Sequence, residues 1–244
     1  MDNRIKNIKA FIFDLDNTLF DRYGTLRKIM AEQFESIKGY LNAGYTLELA
    51  TEHLCAMEQL YNSFGWKRLY AQLCDANFFN PDNTPTYEQC DNFLVTNFAK
   101  TAVNFDFTVP TLKKLKEAGY KLGVITNGRS ALQRSKLAML GFSDLFDSIV
   151  VSGEYAALIC GDEGNKAHWK PNPEIFRYAA STLSLEPGEC CYVGDNPLHD
   201  MIPSRTAGLV PVWIRSKSPW LGKNEDMPEL CLDNIGGLTA LIGE

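Results

Sequence analysis

The stretch AFIFDLDNT, residues 10–18, joins a short apolar run to two acids and a hydroxyl. Four consecutive apolar residues, Ala10 to Phe13, are typical of a strand buried on both faces of a parallel sheet. Asp14 and Asp16 follow at once, so we expect both at the carboxyl end of that strand. In open α/β sheets, ligands bind beyond these strand ends. The stretch therefore predicts the first strand of an α/β fold with two carboxylates at its ligand-binding end.

Further apolar runs of strand length alternate with helical patterns along the rest of the chain. The strand-length runs occupy residues 121–125, 148–151, 190–193 and 210–214. Apolar residues at helical spacing lie at 109–118, 130–140 and 173–183. Strands that alternate with helices indicate a parallel sheet with helices on both faces. We predict an α/β fold whose core is a Rossmann-like doubly wound parallel sheet.

Residues 22–105 interrupt this alternation. Apolar residues recur there at helical spacing, as in Leu26, Ile29 and Met30, and no convincing strand is present. We predict a helical domain at 22–105, inserted after the first strand into an α/β core domain formed by residues 1–21 and 106–244.

The composition of the chain argues against a nucleic-acid-binding protein and a membrane protein. The chain has 244 residues, 45% hydrophobic and 22% charged, and a net charge of -6. Because nonspecific nucleic-acid binding depends on Lys and Arg, the acidic balance argues against it. No apolar stretch approaches a membrane span, and the start of the chain lacks the pattern of a signal peptide. The seven cysteines include no CxxC pair, which favours buried free thiols and a cytoplasmic protein.

Polar residues follow three of the predicted strands. Asp14 and Asp16 follow the first, Thr126-Asn127-Gly128 the second, and Gly194-Asp195 the run at 190–193. We expect these groups to meet at one edge of the sheet. The carboxylates of Asp14, Asp16 and Asp195 would form the oxygen-rich site that Mg²⁺ prefers.

Such a cluster suits the transfer of a phosphoryl group. Asp14 can serve as the nucleophile, and Asp16 can donate a proton to the leaving oxygen and later take one from water. Thr126 and the amides around Asn127 can hold the non-bridging phosphate oxygens at a helix start. Lys170 would offset the negative charge of the transition state.

Four motifs give the chain a resemblance to the haloacid dehalogenase superfamily. Residues 14–18, DLDNT, resemble its first motif, DxDxT after a buried strand. The second, third and fourth motifs are resembled by TNG at 126–128, KPNPEIF at 170–176 and GDNPLHD at 194–200. All four occur in the family's order and span most of the chain, which makes the match specific.

The resemblance implies further roles. Asp195 would bind Mg²⁺, and the backbone carbonyl of Asp16 would also reach the metal. Asp200 would hold the metal shell or Lys170. The inserted segment 22–105 resembles the family's four-helix cap, which closes over small soluble substrates.

One segment departs from the family's pattern. About fifteen residues separate Glu154 from Lys170, more than expected, so the role of residues 155–169 stays open. Lys166 lies in this segment and is a rival for the phosphate-binding lysine. We assign that role to Lys170, because a loop that leads into a helix with Pro at its start follows it directly.

The sequence thus predicts a Mg²⁺-dependent phosphatase that acts on a small phosphorylated metabolite, such as a sugar phosphate or a nucleotide, as a monomer or homodimer. A phosphomutase on the same scaffold, or a regulatory protein without catalysis, is an alternative. A haloacid dehalogenase is rejected, since that branch needs no metal and lacks the second acid, which is Asp16 here.

Overall fold

A computed structural model of the chain describes residues 5–61, 65–215, 220 and 222–242. Its parallel strands are β1 Ala10–Phe13, β2 Lys121–Thr126, β3 Ser148–Val151, β4 Cys190–Gly194, β5 Val210–Ile214 and β6 Leu230–Leu232. They form one sheet of six strands in the order β3-β2-β1-β4-β5-β6. The predicted α/β fold is confirmed.

This strand order winds outward from β1 in two directions. The chain runs from β1 to β2 and β3 on one side, and from β4 to β5 and β6 on the other. Parallel crossovers are right-handed, so the two directions place helices on opposite faces of the sheet. The strand order reverses between β1 and β4, which is where sheets of this type form their ligand crevice. All four residues of β1 are fully buried, as expected for the central strand.

The chain divides into two compact units, one formed by residues 22–103 and the other by residues 1–21 and 104–244. The described part of the first unit contains four α-helices, α1 Arg22–Ile37, α2 Leu47–Tyr61, α3 Trp66–Asp75 and α4 Tyr87–Phe98. Thr86 and Gln89 form a capping box that fixes the start of α4. Inside this unit, Arg22 and Glu58 form a buried ion pair with an N–O distance of 2.5 Å.

The helices of the α/β unit are α5 Thr108–Glu117, α6 Ser130–Leu140, α7 Ser152–Cys160, α8 Pro173–Thr182, α9 Ile202–Ala207 and α10 Leu238–Ile242. Helix α8 begins as the sequence predicts, because Pro173 occupies its first position and the Asn172 side chain accepts a hydrogen bond from the Glu174 N–H. Helix α6 ends at Leu140 and is followed by Gly141, whose φ of 71° is left-handed.

The sequence-based prediction does not include four elements of the α/β unit, α7, α9, α10 and β6, and it is only partly correct for the cysteines. Helix α7 starts directly after β3 with no capping side chain, and the three-residue β6 is too short to show a pattern. All seven cysteines are free. The expectation that they are buried is confirmed for Cys55, Cys190 and Cys191, whereas Cys74, Cys90 and Cys231 are half-buried and Cys160, at the end of α7, is exposed. Among the helices that the structure describes, none has both the length and the apolar composition needed to cross a membrane.

Candidate active site

Asp14 lies at the carboxyl end of the central strand. Its N–H donates to the carbonyl of Val193 at 2.8 Å, which extends the pairing of β1 with β4 by one residue. The chain then turns sharply, because Asn17 adopts a left-handed conformation and its N–H donates to the carbonyl of Phe20. The Thr108 hydroxyl donates to the Leu19 carbonyl at 2.7 Å and holds this loop in place. These hydrogen bonds hold the loop that follows Asp14, a residue that is only 7% exposed.

Lys170 is brought to Asp14 by Asn127. The side-chain amide of Asn127 donates to the Lys170 carbonyl at 2.9 Å and accepts from the Lys170 N–H at 3.0 Å. This double contact fixes the loop before α8 against the end of β2. The ammonium nitrogen of Lys170 then lies 2.6 Å from Asp14 Oδ1 and 2.7 Å from Asp200 Oδ1.

Tyr192 completes this buried network and was missed by sequence reasoning. Its hydroxyl lies 3.0 Å from the Lys170 nitrogen, whose ammonium donates to it, and it donates to Asp200 Oδ1 at 3.0 Å. The side chain is fully buried within β4. A tyrosine in an otherwise apolar strand, two residues before Gly194, is the signal that could have found it.

Burial dominates the electrostatics of these groups. It raises the pKa of Asp14 to about 7, although the Lys170 ammonium opposes the change. Burial alone would lower the pKa of Lys170, but the carboxylates of Asp14 and Asp200 outweigh it and raise the pKa well above its usual range. Burial and the neighbouring Asp200 raise the pKa of Tyr192 strongly, so its hydroxyl stays protonated.

Three carboxylates converge at the ends of β1 and β4. Asp14, Asp195 and Asp200 each offer an oxygen, and these oxygens lie within 4.8 Å of one another. The indole N–H of Trp213 donates to the Asp195 carbonyl at 3.0 Å, and the Asn196 N–H donates to Asp200 Oδ2 at 3.0 Å. The three oxygens form a compact, buried set of hard ligands of the kind that holds Mg²⁺.

Gly194 makes the close approach of Asp200 possible. A Cβ atom at Gly194 would lie 2.6 Å from Asp200 Oδ2, closer than real Cβ atoms come to other atoms. Any other residue would push Asp200 away from the cluster. Glycine at position 194 is therefore required for the Asp200 carboxylate to lie beside Asp195 in the cluster.

Thr126 ends β2 at the same edge of the sheet. Residue pairing aligns Val124 with Phe13, so Thr126 lies next to the loop that carries Asp14. Its hydroxyl is buried and has no hydrogen-bond partner among the described residues. A buried hydroxyl without a partner is costly, which points to a ligand that completes it.

Among the described residues, the cluster of carboxylate oxygens does not include Asp16, whose carboxylate contacts a lysine of helix α6. The Asp16 carboxylate oxygens lie 2.9 and 3.3 Å from the ammonium nitrogen of Lys136. The structure thus brings Asp14, Lys170, Asp195 and Asp200 together, while the Asp16 side chain has a different cation. The expected approach of the Asp16 backbone carbonyl to a metal stays a prediction.

The unusual segment 155–169 holds the start of α6. The side chain of the residue before α6, Arg129, does not cap the helix. Instead the Glu163 carboxylate accepts a hydrogen bond from the N–H of Ser130, the first residue of α6. Lys166 is exposed and its ammonium nitrogen lies 5.8 Å from the centre of the Trp169 ring. Of the two rival lysines, Lys170 is the one that the structure places beside Asp14.

The motifs and the fold agree with comparisons to known proteins. The family model described as haloacid dehalogenase-like hydrolase matches residues 8–208. The chain belongs to this family of hydrolases. As a haloacid dehalogenase-like hydrolase it is an enzyme, and the predicted resemblance is confirmed.

Curated relatives carry the names of different phosphatases. A glyceraldehyde 3-phosphate phosphatase of Methanopyrus kandleri is 32% identical over 90% of this chain and 87% of its own length. An N-acylneuraminate-9-phosphatase of Mus musculus is 26% identical over 98% of this chain and 95% of its own. A pyrophosphatase PpaX of Bacillus velezensis is 29% identical over 98% of each chain.

Solved structures share the fold of this hydrolase. The HAD-hydrolase YfnB of Bacillus subtilis, solved bound to magnesium, superposes with a TM-score of 0.73 at 19% identity, covering 98% of this chain and 100% of its own. The L-2-haloacid dehalogenase RSc1362 superposes with a TM-score of 0.63 at 19% identity, covering 96% and 98%. At these identities the likeness concerns the fold alone.

Proposed function

We propose that this hydrolase is a phosphatase that removes the phosphate group from a small phosphorylated metabolite, with Mg²⁺ as cofactor and Asp14 as nucleophile. The observation that carries the proposal is the convergence of the Asp14, Asp195 and Asp200 oxygens within 4.8 Å at the strand-order reversal of the sheet. The phosphatase names of relatives that cover most of the chain support the same reaction class.

The donor set fits a magnesium ion. Asp14, Asp195 and Asp200 would hold it, together with the backbone carbonyl of Asp16. A bound Mg²⁺ would supply positive charge that reduces the repulsion between a carboxylate nucleophile and a phosphate dianion.

The proposed reaction has two steps, the transfer of the phosphoryl group to Asp14 and the hydrolysis of the resulting aspartyl phosphate. In the first, a carboxylate oxygen of Asp14 bonds to phosphorus, the bond to the leaving oxygen breaks, and Asp16 donates a proton to that oxygen. In the second, water attacks the phosphorus and gives a proton to Asp16, the bond between phosphorus and the Asp14 oxygen breaks, and phosphate leaves the restored Asp14 carboxylate. Thr126 and Lys170 hold the non-bridging oxygens throughout.

The side chain of Asn127 is not available to bind phosphate. Its oxygen and its NH₂ group are both hydrogen-bonded to the Lys170 backbone, so we propose that Asn127 binds phosphate through its backbone N–H. Its side chain would serve to hold Lys170.

We also propose that the compact helical unit formed by residues 22–103 is the cap that selects the substrate. The support is its insertion directly after the first motif, as the family resemblance implies. On this proposal, substitutions inside the unit change the KM for the preferred metabolite and leave the hydrolysis of p-nitrophenyl phosphate nearly unchanged.

The test is a screen of purified protein with Mg²⁺ for released inorganic phosphate. The panel contains glyceraldehyde 3-phosphate, N-acylneuraminate 9-phosphate, pyrophosphate and p-nitrophenyl phosphate. We expect turnover of at least one phosphomonoester, reduced about 10³-fold or more in Asp14→Asn, because the amide is not a nucleophile. Asp144→Asn, an exposed acid of the same unit, is the matched control. Full activity in Asp14→Asn would refute the proposal, and transfer of phosphate to a second sugar hydroxyl would indicate a phosphomutase.

A further inference from the structure

Helix α6 buries a charged residue on its core-facing side. Its buried residues are Gln133, Lys136, Leu137 and Leu140, which share one face of the helix. Lys136 is only 2% exposed. An ammonium group in this position is costly unless a negative charge compensates it.

The compensating charge is Asp16. The Lys136 nitrogen lies 2.9 Å from Oδ1 and 3.3 Å from Oδ2 of Asp16, so it contacts both oxygens of the carboxylate. It also lies 5.5 Å from the centre of the Phe20 ring, at the other end of the same loop. Lys136 therefore interacts with two residues of the loop that follows β1, Asp16 and Phe20.

The two acids of the first motif thus have separate lysines from separate elements. Asp14 contacts Lys170, in the loop before α8, whereas Asp16 contacts Lys136, within α6. The backbone of the loop is fixed by the left-handed Asn17. Within that fixed backbone, the contact with Lys136 orients the Asp16 side chain, which is 20% exposed.

We propose that Lys136 is a positioning residue that holds the Asp16 carboxylate where it can exchange a proton with the leaving oxygen and with water. The inference rests on the phosphatase function proposed above. Lys136 acts through Asp16 and does not itself contact the phosphate. Losing this contact loosens the Asp16 carboxylate, and proton transfer is sensitive to misplacement of about 1 Å.

A purely structural role would have a different signature. If the ion pair only docks α6 onto the first-motif loop, its loss lowers stability and affects all substrates alike. A positioning role affects those substrates that need a proton on the leaving oxygen. The nature of the leaving group therefore separates the two roles.

The experiment compares an alkyl phosphate with p-nitrophenyl phosphate in Lys136→Met. The alkyl substrate is glyceraldehyde 3-phosphate or N-acylneuraminate 9-phosphate, whichever the wild-type protein hydrolyses faster in the screen. We expect its kcat/KM to fall about 10- to 100-fold. The value for p-nitrophenyl phosphate should fall less than about threefold, because p-nitrophenolate leaves without a proton. Inhibition by inorganic phosphate should be unchanged. Lys113→Met, an exposed lysine on α5, is the matched control.

A double-mutant cycle adds a second readout. In the Asp16→Asn background, Lys136→Met should cause no further loss of alkyl phosphatase activity, since its effect passes through Asp16. Equal losses for both substrates, additive losses in the cycle, or no loss at all would overturn the inference. If Lys136→Met does not fold, Lys136→Gln, which also removes the positive charge, takes its place in the same comparisons and is judged by the same outcomes.

The result is distinguishable from failure of the proposed function. Wild-type protein without phosphatase activity, or with activity that survives Asp14→Asn, would remove the proposed function itself. Activity that depends on Asp14 but not on Lys136 would remove only the present inference.

Discussion

The ammonium nitrogen of Lys170 lies 2.6 Å from Asp14 Oδ1, although 156 residues separate the two in the sequence. Both side chains are almost completely buried. Asp200 lies on the other side of the same ammonium, at 2.7 Å. One buried cation thus compensates two of the three carboxylates that we assign to the metal site.

Replacing this cation should impair both catalysis and stability. We expect Lys170→Met to lower kcat/KM about 10²- to 10³-fold, because a positive charge that stabilises the transition state is lost. Its thermal midpoint should fall in EDTA, since two buried acids lose their partner, and Mg²⁺ should restore part of the loss. The measurements are phosphate release and thermal unfolding with and without Mg²⁺.

Lys166→Met is the control for this prediction. Lys166 is exposed, so its replacement should leave activity and stability nearly unchanged. A larger loss of activity in Lys166→Met than in Lys170→Met would show that the rival lysine binds phosphate.

The unpartnered hydroxyl of Thr126 predicts a separation of activity from stability. In Thr126→Val the shape is retained and the buried hydroxyl is removed, so the thermal midpoint should stay the same or rise. The KM should rise about tenfold or more, because a hydrogen bond to a charged phosphate is lost. Steady-state kinetics and thermal unfolding check the two parts.

Thr111→Val provides the opposite pattern as a control. The Thr111 hydroxyl donates to the Phe107 carbonyl at 2.7 Å, so its loss should cost about 1 kcal/mol of stability and spare activity. If Thr126→Val behaved in this way as well, the hydroxyl would have no role in binding phosphate.

The metal site predicts stabilisation by Mg²⁺. A ligand at about one hundred times its Kd stabilises by about 2.7 kcal/mol, which would raise the thermal midpoint by roughly 5 to 10 °C in a chain of this size. Asp195→Asn should abolish most of this rise, because one of three buried oxygen ligands loses its charge. Asp162→Asn, an exposed acid, should keep it in full. A rise that persists in Asp195→Asn would place the ion elsewhere.

Asp147 predicts a pH dependence of stability outside the active site. Partial burial raises its pKa, but the Leu122 N–H at 2.8 Å and the Lys116 ammonium outweigh this and hold the pKa below its usual value. A depressed pKa in the folded state means that the ionised group stabilises the fold above the unfolded-state pKa. That contribution is lost as the pH falls through the folded-state value.

The corresponding variant is Asp147→Asn. At pH 7 its thermal midpoint should be lower by about one to two degrees, for a loss of roughly 0.5 kcal/mol, because the Asp147 side chain is 39% exposed and solvent weakens its ion pair with Lys116. At about pH 2.5 the difference from wild type should shrink, because both proteins then lack the charge. Asp144→Asn, three residues earlier and exposed, makes the same charge change and serves as control. A difference that is the same at both pH values would mean that the charge of Asp147 contributes nothing.

The ends of the strands can be predicted from the sequence because they depend on residues that are neighbours in the chain. The strand β1 coincides with the predicted run at 10–13, and β3 and β5 also match their predicted ranges. A strand buried on both faces of a parallel sheet needs a continuous run of apolar residues. A polar residue directly after such a run is stable only where the strand ends, because there it can contact a ligand or solvent. Both requirements are met by neighbouring residues, so they can be read from the chain.

The sequence by itself determined the α/β fold, the family and the identity of the acids that follow β1 and β4. Only the tertiary structure decided that the Tyr192 hydroxyl donates to Asp200 and that Lys136 is the cation beside Asp16. Such pairs join residues of different elements, and the direction of each side chain depends on how those elements pack. From the sequence alone, a lysine within a helix such as Lys136 is expected to be solvated. Its burial becomes known only when the packing of the helix face is known.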